Sequence, residues 1–145
     1  MRTTAGFLAR LRIAVACALA FGCRDSTAPA PALRIQTSQT RYAIPGAFGP
    51  AIPATVTNVS SRPIALAACG TFVLSVPERW WNNAWEDQTF ASCQTFLPVE
   101  LGPGETISLA ATVRVIGAFR LRIPLYVDST RYSLAAETSP VFEVY

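Results

Sequence analysis

The chain has 145 residues, with 12 Lys+Arg, all of them Arg, against 9 Asp+Glu, and no His. Hydrophobic residues make up 51% and charged residues 14%, which is too apolar for a disordered chain. The lack of His and Lys excludes a Ser-His-Asp triad, a Cys-His dyad, His-ligated zinc, a Schiff-base lysine and a P-loop lysine. No apolar run reaches the roughly 20 residues of a membrane-spanning helix.

Residues 1–12, MRTTAGFLARLR, carry Arg2, Arg10 and Arg12 and no acid. Residues 13–22, IAVACALAFG, are apolar or small throughout. A basic start followed by a short apolar run is the physical pattern of a secretory signal peptide. The basic residues stay on the cytoplasmic side while the apolar run enters the membrane. The sequence therefore predicts export, with residues 1–22 removed.

The run ends in Leu19-Ala20-Phe21-Gly22-Cys23. This resembles the lipobox of bacterial lipoproteins. The resemblance implies cleavage before Cys23, diacylglycerol on the Cys23 sulfur and acylation of the new amino group. The mature protein would then be held at the cell envelope, outside the cytoplasm, with the membrane as its first partner. Of four Cys, Cys17 leaves with the signal and Cys23 takes lipid. Cys69 and Cys93 remain, an even number in an oxidising compartment, and a structural disulfide is the expected pairing. Processing also removes three Arg and no acid, leaving nine of each sign. The sequence pI near 8.9 thus belongs to the precursor, and no basic surface remains to recruit nucleic acid.

Residues 23–32 follow as the lipidated Cys and a Pro/Ala tether, in which Pro29 and Pro31 favour an extended conformation. Residues 33–145 form the folded domain, and alternation of apolar and polar residues runs through it. Leu33 and Ile35 begin a strand. Ile52, Ala54 and Val56 alternate with Pro53, Thr55 and Thr57, and 58–61 make a turn before Ile64, Leu66 and Ala68. Phe72, Leu74 and Val76 alternate next, and a short helix is expected near 80–88. Gly102-Pro103-Gly104-Glu105 suits a type II turn, with Pro second and Gly third. Ile107, Leu109, Ala111, Val113 and Val115 make one long strand, and Phe119, Leu121, Ile123, Leu125 and Val127 another. Gly117 is expected to turn these two into a hairpin. Phe142 and Val144 close the chain. Pro53 and Pro124 cannot donate to a ladder and are expected at an edge or bulge. The expected fold is all-β, an immunoglobulin-like antiparallel sandwich of about seven strands.

Three pieces carry a second resemblance: Val56-Thr-Asn-Val-Ser-Ser-Arg-Pro-Ile64, Leu101-Gly-Pro-Gly-Glu105 and Gly117-Ala-Phe-Arg-Leu121. Together they resemble immunoglobulin-like domains of small bacterial lipoproteins. They are similar to domains related to the intracellular proteinase inhibitor of bacilli. The resemblance implies a sandwich and supplies no catalytic residue, cofactor or metal ligand.

The candidate recognition segment is 77–92, which holds all three tryptophans, Trp80, Trp81 and Trp85. Exposed rings can stack on a glycan or anchor a protein partner, while buried ones would cover the sheet. Adjacent Trp80 and Trp81 cannot both point inward from an extended backbone. Glu78, Glu86 and Asp87 read as solvated surface charge, and Arg120 and Arg122 as the exposed side of a strand. No tuned acid–base pair is placed by the sequence, so the expected function is non-catalytic. It is a binding or structural module at the envelope. A proteinase-inhibitor-like module and a carbohydrate-binding module using the tryptophans are the alternatives.

Overall fold

The structure is a computed structural model and describes residues 31–46, 49–88, 93, 96–126 and 134–145. The expected signal peptide, the expected lipidation site Cys23 and most of the expected tether lie outside these residues. Among them the chain is all-β, in two facing sheets. The smaller sheet has the order β1 (Leu33–Thr37), β3 (Ala51–Asn58), β9 (Thr106–Thr112), antiparallel throughout. The larger is built around β10 (Gly117–Tyr126). On one side of β10 lie β11 (Leu134–Thr138) and β12 (Phe142–Val144), end to end. On the other lie β4 (Ile64–Cys69) and β6 (Val76–Trp81), again end to end. Beyond these come β8 (Phe96–Leu101) against β4 and β7 (Ala84–Asp87) against β6. Two short strands, β2 (Arg41–Tyr42) and β5 (Phe72–Val73), pair with β12 and β4. The expected all-β sandwich is thus present, with twelve strands among the described residues rather than about seven, because several ranks are broken into segments.

Alternation places Ile52, Ala54 and Val56 of β3 opposite Phe119, Leu121 and Ile123 of β10, all buried. The core has two ends. One gathers Tyr42, Ile52, Val113, Phe119, Phe142 and Val144. The other gathers Leu33, Ile35, Val56, Leu66, Leu101 and Leu125. Chain entry is fixed at the second end. Both carboxylate oxygens of Glu137 accept backbone N–H groups there, from Ala32 at 2.7 Å and Leu33 at 2.8 Å.

Asn58 explains why its motif is so composed. It is fully buried and donates from Nδ2 to the carbonyls of Leu101 (2.8 Å) and Arg62 (2.7 Å). Its Oδ1 accepts the Ser60 N–H at 2.9 Å and the Ser60 hydroxyl at 2.8 Å. Its main chain bonds Gly104 and Glu105 of the next motif. There Gly104 sits at φ +75° and Glu105 N–H donates to Gly102 O, as the type II reading requires. The Glu105 carboxylate folds back to accept the Gly102 N–H at 2.6 Å. Asn58→Ala would remove the buried bond to the Leu101 carbonyl and the acceptor of the Ser60 N–H, while Arg62 O keeps the Ser60 hydroxyl. Denaturant unfolding should show a loss of about 2–3 kcal/mol.

Four further expectations are corrected. First, β9 and β10 do not form a hairpin; they belong to different sheets, and buried Val113 lies on the crossing between them. Nine residues of apolar alternation on each segment, 107–115 and 119–127, fit a sandwich crossing as well as a hairpin. Second, the expected helix near 80–88 is the β6–β7 hairpin. Third, Phe72 does not enter the core and is 79% exposed, because the chain turns at Gly70 (φ +61°) and β5 folds back on β4. Fourth, Pro53 and Pro124 lie in central strands rather than at an edge or bulge, at positions where the facing ladder gives out. The nitrogen of Pro53 faces Ser38, just past the end of β1. Pro124 faces the gap on β10 between the pairs Arg122↔Val76 and Leu125↔Leu66.

Candidate functional site: the tryptophan hairpin

β6 and β7 are joined by a two-residue turn. Asn82 and Asn83 have φ of 47° and 66°, the left-handed pair that a type I′ turn requires. Asn tolerates this conformation better than most residues, so Trp81-Asn-Asn-Ala84 is a hairpin signal in the sequence. The register pairs Trp80 with Trp85, Arg79 with Glu86 and Glu78 with Asp87. Alternation then splits the residues between two faces. Trp80, Trp85, Glu78 and Asp87 share the outer face with Arg120 and Arg122 of β10. Arg79 and Trp81 share the other.

On the outer face Glu78 is the hub. It is 6% exposed, and its two oxygens accept Arg120 Nε at 2.6 Å and Arg122 Nε at 2.7 Å. Arg122 reaches on to Asp87 Oδ2 at 2.6 Å. Burial disfavours the Arg122 cation, but hydrogen bonds and charge from Asp87 and Glu78 outweigh it and hold the pKa above its ordinary value. The Arg120 guanidinium lies over the Trp85 ring, 4.4 Å from its centroid. Trp85 in turn meets Trp80, with centroids 5.2 Å apart and planes inclined at 59°. The network locks both strands of the hairpin to β10. Glu78 is therefore not the solvated charge that the sequence suggests, nor are Arg120 and Arg122 simply exposed. Their pairing needs β6 beside β10, which no local pattern reveals.

On the opposite face the Arg79 guanidinium lies 4.5 Å from the Trp81 ring centroid. Gly117 makes room for it. A Cβ there would come within 3.0 Å of Arg79 Nε, and the backbone has φ +142°. Gly117 serves this packing rather than a tight turn. Arg79 Nε is buried without a hydrogen-bond partner, so the ring contact and packing hold the side chain.

None of the tryptophans belongs to the core. Trp80 and Trp81 are 43% and 48% exposed and point to opposite faces, and Trp85 is half-buried. The 59° tilt and the split of faces leave no coplanar pair for a flat sugar platform. The hairpin tip extends past Gly117, at the end of the sandwich opposite Leu33. Cys69 and Cys93 form the expected disulfide, with Cα atoms 5.7 Å apart. It ties the end of β4 to the segment between β7 and β8. Among the described residues no group of three or more His, Cys, Asp or Glu is placed to hold a metal ion. No helix among them is long and apolar enough to cross a membrane.

No family model matches the chain, and no curated protein matches it. Among solved structures it is similar to a β-glucosidase from Listeria innocua in complex with glucose. The identity is 14% over 77% of this chain and 16% of the enzyme, with a TM-score of 0.32. A mutant of that enzyme in complex with laminaribiose aligns at 14% identity over 78% of this chain and 16% of the enzyme, again with a TM-score of 0.32. The chain thus spans about one sixth of the proteins it aligns with, and likeness at this level carries no argument about what it does.

Proposed function

We propose that this protein is a lipid-anchored, extracytoplasmic, non-catalytic immunoglobulin-like domain that acts as a binding module at the bacterial cell envelope. Cys23 carries the lipid, residues 24–32 are the tether, and the β6–β7 hairpin recognises the partner. One observation carries this reading. A hairpin with two half-exposed tryptophans is stiffened by ion pairs to the buried Glu78 at the end of the sandwich away from the chain's point of entry. Rigid aromatic side chains give contact area at low entropic cost, and function commonly sits on such elements of a rigid scaffold. A domain hung from Cys23 presents this tip away from its own membrane.

Two variants test the reading. Changing Trp80 and Trp81 together to Ala should cost less than about 1–2 kcal/mol of stability, because neither ring is in the core and cation–π contacts at exposed sites are weak. The same change should abolish retention of the domain on envelope material from which the wild-type chain does not wash off. Retention equal to wild type would move the function elsewhere. Cys23→Ala should release the domain from the membrane fraction or leave an uncleaved precursor. A cleaved product still bound to membranes would contradict the anchor.

A further inference from the structure

We infer that the hairpin tip docks into the headgroup zone of a phospholipid bilayer that faces the one holding the anchor. This rests on the reading of the hairpin as the recognition element and names what it recognises. Trp80 and Trp81 are both exposed, but they point to opposite faces of the hairpin. A protein surface or a glycan laid against one face would reach one ring. A fluid lipid surface closes around the tip and reaches both. Residues 80–85, WWNNAW, carry no charge that would oppose entry.

The rest of this end has the same character. Continued from Phe119↔Arg79, the β6–β10 register brings Trp81 level with Gly117. Gly117 pairs with Val144, so Ile116 and Tyr145 come next along the same end, and each is more than half exposed. Trp80, Trp81, Ile116 and Tyr145 are four of the eight large apolar side chains exposed among the described residues. Apolar exposure is therefore concentrated at the tip rather than scattered, which marks a contact surface.

Two of the exposed rings carry a cation. Arg79 lies over Trp81, and the Arg41 guanidinium lies 4.8 Å from the Tyr145 ring centroid. Trp and Tyr favour the membrane–water interface, where the ring sits at headgroup level and a nearby cation meets phosphate. Arg41 is shared with Glu143, and Arg120 and Arg122 are held by Glu78 and Asp87. Arg79 has no carboxylate at ion-pair distance among the described residues; Glu86, its cross-strand neighbour, is exposed and does not pair with it. Its guanidinium is the group left for a lipid phosphate. A two-stranded element with an open edge is not accepted by hydrocarbon, so the tip stops among the headgroups. The chain enters at the opposite end, beside Glu137, so a lipid on Cys23 leaves the tip facing a second bilayer.

Vesicle capture by the full chain tests this. The chain, purified from membranes, is reconstituted into phosphatidylcholine vesicles. Protein-free vesicles of phosphatidylcholine and phosphatidylglycerol, containing brominated lipid, are then added. The expected result is capture of the second vesicles, with tryptophan fluorescence quenched by their lipid. Changing Trp80 and Trp81 together to Ala should lower capture about tenfold or more, and Ile116→Ser or Arg79→Gln several-fold. Phe72→Ser removes the most exposed large apolar side chain among the described residues, away from the tip, and should leave capture unchanged. No capture by the wild-type chain would overturn the inference. So would capture unaffected by the Trp changes, or quenching only when the brominated lipid is in the vesicles that hold the chain. The hairpin reading fails separately. If wild-type chain captures no vesicles, yet the Trp changes still abolish retention on envelope material, the lipid proposal falls and the recognition role of the hairpin stands.

Discussion

Glu78→Ala is expected to destabilise the domain by about 3–5 kcal/mol, toward the lower end, and to release the hairpin from β10. The carboxylate is 7% exposed and holds two guanidinium groups at 2.6 and 2.7 Å. Removing it leaves the Arg120 and Arg122 cations without their shared counter-charge. Each Arg side chain is 28–29% exposed, so water recovers part of the loss, and Arg122 keeps Asp87. Denaturant unfolding measures the stability. Circular dichroism measures the hairpin separately, because Trp80 and Trp85 are close enough for their indole transitions to couple. The coupled signal should fade in Glu78→Ala under conditions where the domain remains folded. A full signal together with wild-type stability would show that the ion pairs do not position the hairpin.

Loss of the disulfide should have an effect of similar size. Cys69 and Cys93 are 24 positions apart, and closing such a loop is worth about 3–4 kcal/mol in the chain-entropy model. For a domain of this size that corresponds to roughly 10–20 °C in melting temperature. The double variant with both Cys changed to Ser should show this shift, and reduction of the wild-type chain should reproduce it. Mass spectrometry of the non-reduced protein should find a single bridge between the two. Free thiols at both positions in envelope-derived protein would contradict both the bridge and the oxidising location.

Much of the architecture was legible because period-2 patterning is a direct image of a half-buried strand. β3, β10 and β12 read off their alternation, and the Gly102–Glu105 turn read off Pro and Gly at positions that only they suit. Phe96–Leu101 is hard to read because Pro98 looks like a strand breaker, although Leu97, Val99 and Leu101 alternate with Pro98 and Glu100; a proline and a charge are how an outer strand is protected. Leu134–Thr138 escaped because its residues are mostly small. The placement of β9 and β10 in different sheets is not legible in the sequence for another reason. Alternation says that a strand has a buried face, but it does not say which sheet carries it.

The hairpin shows the same limit at the site. The Asn-Asn pair was a usable turn signal, and the opposed directions of Trp80 and Trp81 follow from strand geometry alone. The role of Glu78 was not accessible. Its partners are 42 and 44 positions away, and only the placement of β6 against β10 turns three ordinary surface-type residues into a buried network. The function of Glu137 in fixing the chain's entry, 104 and 105 positions from its partners, was hidden in the same way.

The central claim is that the hairpin contacts a partner at the envelope. A photoreactive amino acid placed at position 81 in the full, anchored chain tests this in living cells, with position 34, exposed at the opposite end, as the control. The account predicts a discrete adduct of higher mass from position 81 that is absent from position 34 and lost when Trp80 is also changed to Ala. No adduct from position 81, or the same adduct from both positions, would contradict it.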